Sequence, residues 1–337
     1  MKYPMRRETG AIHAVEAVTK GWFSKDTLSI LLFHRVLAMP DPLLSGVHTA
    51  YFFSKLVGAL RRYCNPLPLA AGLQRLADGD LPPRAVCITF DDGYADNLQV
   101  ALPILQRFDV PATVFVTTAF LDGNLMWNDR VTEAIRRFRG AVMPLQRVGL
   151  PDAPVATLQE RRAVVTEVLT EIKHRPPAER SNAVEYIEAL APGQPARLML
   201  STEQLQELST AGVEIGAHTH SHPILATLAD SDARNEIAQG KRMLEEILQQ
   251  KIRFFAYPNG RRGRDYVSQH VSFVREAGFD AALTTDGGAN RAGVDRFQLQ
   301  RFTPWDSSRI GFLGRMIHHR GAASMGPRPN VQDEYQG

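Results

Sequence analysis

Short apolar runs alternate with longer stretches of helical spacing along most of the chain. The apolar runs predict buried strands at 27–37, 84–90, 112–117, 213–217, 253–257, 280–285 and 297–302. Apolar residues three and four positions apart predict helices at 52–63, 70–76, 96–108, 201–212, 231–250 and 265–277. Because strands and helices alternate, the pattern favours an α/β fold with a mainly parallel sheet.

One long segment departs from this alternation. Residues 121–200 are rich in Arg, Glu and Ala at helical spacing and are interrupted by several prolines, so we expect a mainly helical insertion. The segment 1–26 is a polar lead-in, and 320–337 is rich in Gly, Pro and polar residues, which predicts a flexible tail. The predicted barrel domain therefore covers 27–319.

Reactive side chains fall at the ends of four of the predicted strands. They are His34, Asp91, Asp92, His218 and Asn259. In parallel α/β folds, functional groups gather at the carboxyl ends of the strands. The sequence therefore predicts one site built from these positions.

Histidines at 218 and 222 have a spacing that suits metal binding. Two histidines four residues apart on a helical turn point the same way and can share an ion. Asp91 and Asp92 are the obvious source of a third ligand, and adjacent residues on an extended chain diverge in direction. We therefore expect one of these carboxylates to hold the metal and the other to face a water molecule.

Net charge and hydropathy limit the classes of partner that the sequence predicts. The chain has 337 residues with 39 basic and 36 acidic side chains, a balance too even to favour nucleic acid as a main partner. No apolar run approaches the roughly 20 residues of a transmembrane helix, and no secretory signal is visible. We therefore expect a cytoplasmic protein, with a peripheral membrane association left open. Nothing in the sequence indicates an oligomeric state.

Two motifs resemble those of a known family. The segments TFDDG (89–93) and HTHSHP (218–223) resemble the first two motifs of the polysaccharide deacetylases, the carbohydrate esterases with NodB homology. The resemblance runs from about residue 28 to 302. It implies a distorted (β/α) barrel of about seven strands that binds a divalent metal, usually zinc. Cobalt, nickel or iron would also suit an Asp-His-His site.

The resemblance also implies roles for individual residues. Asp91 matches the family's catalytic base, and Asp92, His218 and His222 match its metal ligands. His220 lies between the histidine ligands and has no matching family role, so we expect it to be a supporting or solvent-facing residue.

The general acid departs from the common pattern of the family. Many members carry it in a Leu-x-His near the C-terminus, where this chain offers His318 and His319. The segment LLFHRV (31–36) instead resembles an N-terminal motif of the exopolysaccharide deacetylase branch. We therefore assign His34 as the acid, against the alternative of a buried histidine that caps a strand.

A second departure lies in AYPNG (256–260). Many relatives have an arginine that orients the base two residues before this proline, where this chain has Ala256. Arg301 could replace that arginine, with a surface charge as the alternative. We expect the backbone N–H of Asn259 to bind the oxyanion.

The predicted function follows from these roles. We expect a metal-dependent hydrolase of exopolysaccharide biosynthesis that removes N-acetyl groups from an amino-sugar polysaccharide or its precursor. Trp127, Tyr257 and Arg301 are the predicted substrate contacts, with Trp305 a further candidate for stacking on a sugar. A non-catalytic carbohydrate-binding protein and an amidohydrolase of a small non-sugar amide stay open as alternatives. A closed pocket formed by the insertion would favour the amidohydrolase.

Overall fold

A computed structural model describes residues 26–44, 46–304 and 309–323. The predicted lead-in up to residue 25, Trp305 and the tail beyond residue 323 lie outside these residues. Six parallel strands form the central sheet: β1 (Thr27–Phe33), β5 (Ala85–Phe90), β6 (Thr113–Val116), β9 (Glu214–Ala217), β10 (Phe254–Ala256) and β11 (Ala281–Leu283). Every residue of β1 and β5 is buried, as expected of parallel strands covered on both faces.

The strand order confirms the predicted distorted α/β barrel. Along the sheet it runs β11-β10-β9-β6-β5-β1-β12, so seven strands form the main path. The last, β12 (Asn290–Arg291), is antiparallel to β1, and the short β4 (Asn65–Pro66) pairs with the start of β5. Two further short strands, β2 (Val36–Leu37) and β3 (His48–Thr49), pair with each other beside the sheet.

The two edges of the curled sheet are joined by the segment 297–302, which the sequence predicts as a strand. The described backbone instead makes isolated bridges, with Leu299 pairing to Leu283 at one edge and Phe302 pairing to Leu31 at the other. The Leu32 N–H donates to the Phe302 carbonyl at 3.0 Å. This segment therefore places Arg301 next to the ends of β1 and β5.

Six helices cover the sheet: α1 (Ala50–Tyr63), α2 (Leu69–Asp78), α3 (Leu102–Arg107), α7 (Thr202–Thr210), α8 (Asp230–Leu248) and α9 (Ser268–Glu276). The predicted helix at 96–108 differs, because it begins as a π-helical turn over Asn97–Ala101. Pro103 lies in the first turn of α3 and has no N–H to donate backwards, which accounts for the break. No helix of the described residues is long and apolar enough to cross a membrane.

The segment predicted as an insertion folds around its own apolar core. It contains α4 (Trp127–Arg137), α5 (Leu158–Ile172) and α6 (Pro177–Ala189), with a small hairpin of β7 (Val142–Met143) and β8 (Ala153–Pro154). Ile135, Val168 and Ile187 are among the fully buried residues of this core, which is separate from the core around the sheet.

A last helix packs at the amino ends of the strands. This helix, α10 (Arg309–Ala323), extends beyond the residue at which the sequence predicts a flexible tail. Arg320 is fully buried in it and donates to the Ala85 carbonyl at 3.2 Å. His318 is exposed on this helix, and His319 stacks on Phe302 with 4.2 Å between ring centroids.

Candidate active site

Two adjacent carboxylates leave the end of β5 in different directions. The N–H of Asp91 donates to the Phe33 carbonyl at 2.9 Å and so continues the strand pairing. Asp92 then turns into the left-handed region with φ of 77°, a conformation that a non-glycine residue adopts at a cost. Both side chains are almost fully buried. The divergence predicted for the two carboxylates is therefore produced by the backbone turn at Asp92.

The segment with both histidine ligands is an irregular loop, so the predicted helical turn is wrong. Thr219 and His222 both have positive φ, of 63° and 57°. The carboxylate of Glu236, on α8, accepts from the N–H groups of His220 and Ser221 at 3.0 and 2.7 Å. These bonds satisfy the backbone donors that a helix would have paired internally. They also fix the loop against α8.

A close approach of α8 supports the same loop. A Cβ atom added at Gly240 would lie 2.7 Å from the Thr219 carbonyl oxygen, so only glycine allows this contact. His220, predicted to be supporting or solvent-facing, is half-buried with its Nδ1 2.8 Å from the Thr118 hydroxyl. We therefore assign it a supporting position in the loop.

Asp92, His218 and His222 converge on one point. The Asp92 Oδ1 atom lies 3.5 Å from His218 Nε2 and 3.4 Å from His222 Nε2. All three ligand atoms lie within 4.8 Å of one another. Ligand atoms bound to one tetrahedral zinc ion lie about 3.3–3.4 Å apart, given bonds of about 2.0–2.1 Å. The spacing of these side chains therefore fits a divalent cation.

The hydrogen bonding around this cluster fits the same cation. Asp92 Oδ1 is buried without a hydrogen-bond donor among the described residues. His218 Nδ1 lies 2.7 Å from the Ala256 carbonyl, which requires that this nitrogen carry the proton. The Nε2 lone pair of His218 is therefore directed at the cluster, the arrangement that orients a histidine ligand.

Electrostatics also favour a cation at this point. Burial, reinforced by the nearby charge of Asp91, holds the pKa of Asp92 well above its usual range. Burial lowers the pKa of His218 to about 4, and burial with the neighbouring His218 lowers that of His222. Neutral imidazoles are the form that binds a metal. A bound cation would supply the positive charge that Asp92 lacks.

The other carboxylate, Asp91, has a buried arginine as its partner. Arg301 donates from both of its terminal nitrogens to the two Asp91 oxygens, at 2.7 and 2.8 Å. Burial by itself would raise the pKa of Asp91, but the charge and hydrogen bonds of Arg301, together with the nearby His218 and His34, outweigh burial and lower the pKa to about 2. Asp91 is therefore ionised throughout the neutral range.

Arg301 thus pairs with Asp91, the position considered for it in place of the arginine missing at Ala256. It is fully buried and also donates to the Thr284 carbonyl at 2.9 Å. Neither a surface charge nor a direct substrate contact is compatible with this burial, so the prediction of Arg301 as a substrate contact is wrong.

His34 follows β1 at the rim of the same site. Its carbonyl accepts from Asn97 Nδ2 at 2.9 Å, and Asp96 binds the next two residues, accepting from the Arg35 side chain and the Val36 N–H. The His34 side chain is exposed, so it is not a buried strand cap. Surrounding protein atoms displace water and lower the pKa of His34, while the charge of Asp91 opposes that shift.

Tyr257 is the second predicted substrate contact that the structure corrects. Its ring is fully buried and stacks on Tyr266 with 4.0 Å between centroids. Its hydroxyl donates to the Phe297 carbonyl at 3.1 Å. The side chain therefore belongs to the core between β10 and the segment 297–302, and it cannot reach a saccharide.

The remaining predicted residues lie near the site without joining the cluster. Asn259 is half-buried with φ of 57° in the turn after β10, and its carbonyl accepts from the Thr285 hydroxyl. Trp127 is half-buried against the core of the insertion, and the Arg180 guanidinium lies over its ring at 5.2 Å.

Two acidic residues near the site were not predicted from the sequence. Glu236 holds the histidine loop, and Asp129 accepts from the Tyr94 hydroxyl at 2.9 Å close to Asp92. Burial raises the pKa of Asp129 to about 6. Both are ordinary acidic residues of helices, and neither stands in a motif that could have marked it.

Comparison with known sequences identifies the family. The model of the polysaccharide deacetylase family matches residues 78–282, which is more than half of the chain. The chain belongs to the polysaccharide deacetylase family. Among curated proteins it is similar to YxkH of Bacillus subtilis (strain 168), named as a polysaccharide deacetylase, at 22% identity over 234 residues. That match covers 69% of this chain and 56% of the relative.

Solved structures share the fold of this chain. One is the deacetylase PplD of Streptococcus pyogenes in complex with acetate, at a TM-score of 0.59 and 19% identity, covering 87% of this chain and 99% of PplD. Another is IcaB from Ammonifex degensii, at a TM-score of 0.56 and 19% identity, covering 88% of this chain and 97% of IcaB.

Proposed function

We propose that this chain is a metal-dependent hydrolase that removes N-acetyl groups from an amino-sugar polysaccharide or its precursor. One observation carries the proposal: three ligands with the spacing of a cation site stand beside an ionised carboxylate that a buried arginine holds in place. Membership of the polysaccharide deacetylase family supports the same reaction class.

Asp92, His218 and His222 would hold the cation. When bound, the cation supplies a Lewis acid that lowers the pKa of water to about 7 and stabilises negative charge on the acetyl oxygen. Zinc suits this ligand set best, and cobalt, nickel or iron would also suit it.

Asp91 is the general base of the proposed reaction. It accepts a proton from the attacking water while the water oxygen forms a bond to the acetyl carbon. The paired hydrogen bonds from Arg301 hold the carboxylate in one orientation and keep it ionised. A remaining lone pair on either oxygen is free for the proton. In the proposed arrangement, the Asn259 N–H donates to the developing oxyanion.

His34 is the general acid. Its imidazolium donates a proton to the sugar nitrogen as the carbon–nitrogen bond breaks, so that acetate and a free amine are released. Exposure at the rim leaves its side chain able to reach a bound sugar. Its influence on the pKa values of Asp91, His218 and His222 supports a position beside the cluster.

Two of the relatives have names that agree with this proposal. PplD is called a deacetylase and was solved with acetate, the expected product of N-deacetylation, and YxkH is named as a polysaccharide deacetylase.

Acetate release from a panel of N-acetylated oligosaccharides and lipid-linked sugars tests the proposal. We expect release that stops when a chelator removes the metal and returns when zinc is restored. Release from small non-sugar amides alone would support the amidohydrolase alternative. Sugar binding without any acetate release in the zinc-loaded protein would support the binding-protein alternative.

A further inference from the structure

Three cations gather beside the proposed active site, where the insertion meets the turn after β10. They are Lys173 and Arg180 from the insertion and Arg264 from the turn. Arg264 Nη2 donates to His174 Nε2 at 3.1 Å and so joins the two segments. Arg180 Nη1 donates to the Lys173 carbonyl at 3.3 Å. The three side chains therefore belong to one cluster, which we call the basic cluster.

The basic cluster lacks matching carboxylates. None of Lys173, Arg180 and Arg264 makes an ion pair with an acidic side chain among the described residues, whereas the nearby Arg175 is paired with Glu171. Asp265 is the acidic group that influences Lys173, and its carboxylate already accepts from the Arg261 N–H at 3.0 Å. The cluster therefore retains excess positive charge.

Partial burial makes this charge unusual. Lys173 and Arg180 are half-buried, and burial lowers the pKa of each. Cations that are partly removed from water without a counter-ion are destabilising unless an anion joins them. His174 avoids adding a further charge, because the bond from Arg264 requires a neutral acceptor nitrogen.

The basic cluster adjoins the reaction centre from two sides. Arg180 lies over Trp127, which begins α4, and this helix contacts Tyr94 just after the TFDDG motif through Asp129. The turn that carries Arg264 follows β10, whose Ala256 carbonyl accepts from His218. The guanidinium of Arg180 lies over the ring of Trp127 in a cation–π contact, which pre-orients the guanidinium. An anion at the cluster would thus lie beside a sugar held at the cation site.

We propose, on the basis of the proposed function, that Lys173, Arg180 and Arg264 bind an anionic group of the substrate. The substrate class is then an N-acetylated amino sugar that carries a carboxylate or phosphate near the acetamide. A carboxylate would come from an acidic sugar of the polymer, and a phosphate from a precursor still linked to its carrier. Arginine and lysine recognise both oxyanions through charge-assisted hydrogen bonds.

The test compares substrates that differ only in charge. A tetrasaccharide of alternating glucuronate and N-acetylglucosamine is compared with its carboxyl-reduced form, and N-acetylglucosamine 1-phosphate with N-acetylglucosamine. We expect kcat/KM to favour one anionic substrate about tenfold over its neutral partner, as one retained charge-assisted hydrogen bond would give. Preference for the uronate or for the phosphate identifies the source of the anion. Added salt should reduce the preference.

Variants assign the preference to the cluster. Arg180→Gln and Lys173→Gln should each bring the ratio towards one, mainly through KM, and Arg180→Lys should restore part of it. Arg242→Gln, on the exposed face of α8 and paired with Glu246, is the matched control and should leave the ratio unchanged. A ratio of one in the unmodified protein, or a ratio that Arg180→Gln and Lys173→Gln both leave intact, overturns the inference.

Calorimetric titration of the zinc-loaded protein with the same paired saccharides separates this inference from the proposed function. Tighter binding of the anionic saccharide without acetate release would contradict the deacetylase proposal and leave the basic cluster supported. Acetate release with equal binding and equal turnover of both partners would support the deacetylase and contradict the cluster.

Discussion

The barrel and the insertion use charged residues in opposite ways. At the end of the barrel, Asp91 is paired with Arg301, and Asp92 stands among histidines with the spacing of a cation site. In the insertion, Lys173 and Arg180 are half-buried cations without a paired carboxylate among the described residues. The end of the barrel thus has a buried carboxylate that lacks a cation, whereas the insertion has cations that lack an anion. We infer that the barrel carries the proposed chemistry and the insertion selects the substrate.

Loss of the proposed acid should lower activity strongly in a variant that retains the metal. We expect His34→Ala to keep its zinc and to lower kcat about 10²–10⁴-fold, the usual worth of one acid–base group. The acid must be protonated, so activity should fall as pH rises through the lowered pKa of His34. That limb of the pH profile should disappear in the variant.

His318→Ala, at an exposed position of α10, is the matched control for His34→Ala and should have normal activity. A chain that depends on His318 and tolerates His34→Ala would have its acid in the C-terminal position common in the family.

Removal of the buried arginine should affect both stability and pH dependence. Arg301→Gln leaves the Asp91 carboxylate buried without its partner, and breaking such a pair typically costs about 3–5 kcal/mol of unfolding free energy. The pKa of Asp91 should rise, because the positive charge of Arg301 then no longer counteracts the effect of burial. We therefore expect the acidic limb of kcat/KM to move to higher pH.

The stability profile gives the same pair a second test. The folded pKa of Asp91, about 2, lies below its ordinary value of 3.8, so the stabilisation is present above about pH 4 and is lost as pH falls towards 2. Chemical denaturation across this range should show the loss in the unmodified protein and a smaller loss in Arg301→Gln. Identical profiles would mean that the ion pair contributes nothing.

The support of the histidine loop should have an intermediate effect. Glu236→Ala removes the acceptor of two loop N–H groups, and we expect about 10–100-fold weaker zinc binding, as for other groups that orient metal ligands. Glu246→Ala, exposed on the same helix, is the control. Zinc affinity is measured by competition with a chelating dye. Equal affinity in both variants would show that Glu236 does not support the metal ligands.

A cavity in the insertion should have the smallest effect on the chemistry. Ile187→Ala truncates a fully buried side chain of the insertion core and should cost about 2–5 kcal/mol locally. We expect zinc content and turnover of a neutral saccharide to stay unchanged, while the preference for an anionic substrate falls. Loss of zinc in this variant would contradict the division of labour between barrel and insertion.

The sequence predicted the parts of this site that lie within short motifs. TFDDG and HTHSHP each place their ligands within six residues, and strand ends are readable from apolar runs. The helical turn at 218–222 was wrong, because Glu236 accepts from the N–H groups of the loop from the helix that follows it. Glu236 could not be assigned from one sequence, since its partners are backbone N–H groups.

The burial of single side chains was the least predictable feature. Arg301 could be named as a candidate, but its pairing with Asp91 depends on the segment 297–302, which bridges β11 and β1 and so joins residues far apart in the chain. Tyr257 follows a strand that ends at the site, yet its ring turns towards Tyr266 and the core. The direction of a side chain just after a strand depends on packing that the local pattern does not encode.

The central claim is that the two adjacent carboxylates have different roles, and one paired measurement tests it. Zinc content and acetate release are measured on the same preparations of Asp91→Asn and Asp92→Ala. We predict that Asp91→Asn keeps about one zinc ion per chain and loses acetate release by about 10²–10⁴-fold or more, since the base is removed and the ligands stay. Asp92→Ala should lose both. Equal zinc loss in the two variants, or undiminished acetate release from Asp91→Asn, would contradict the account.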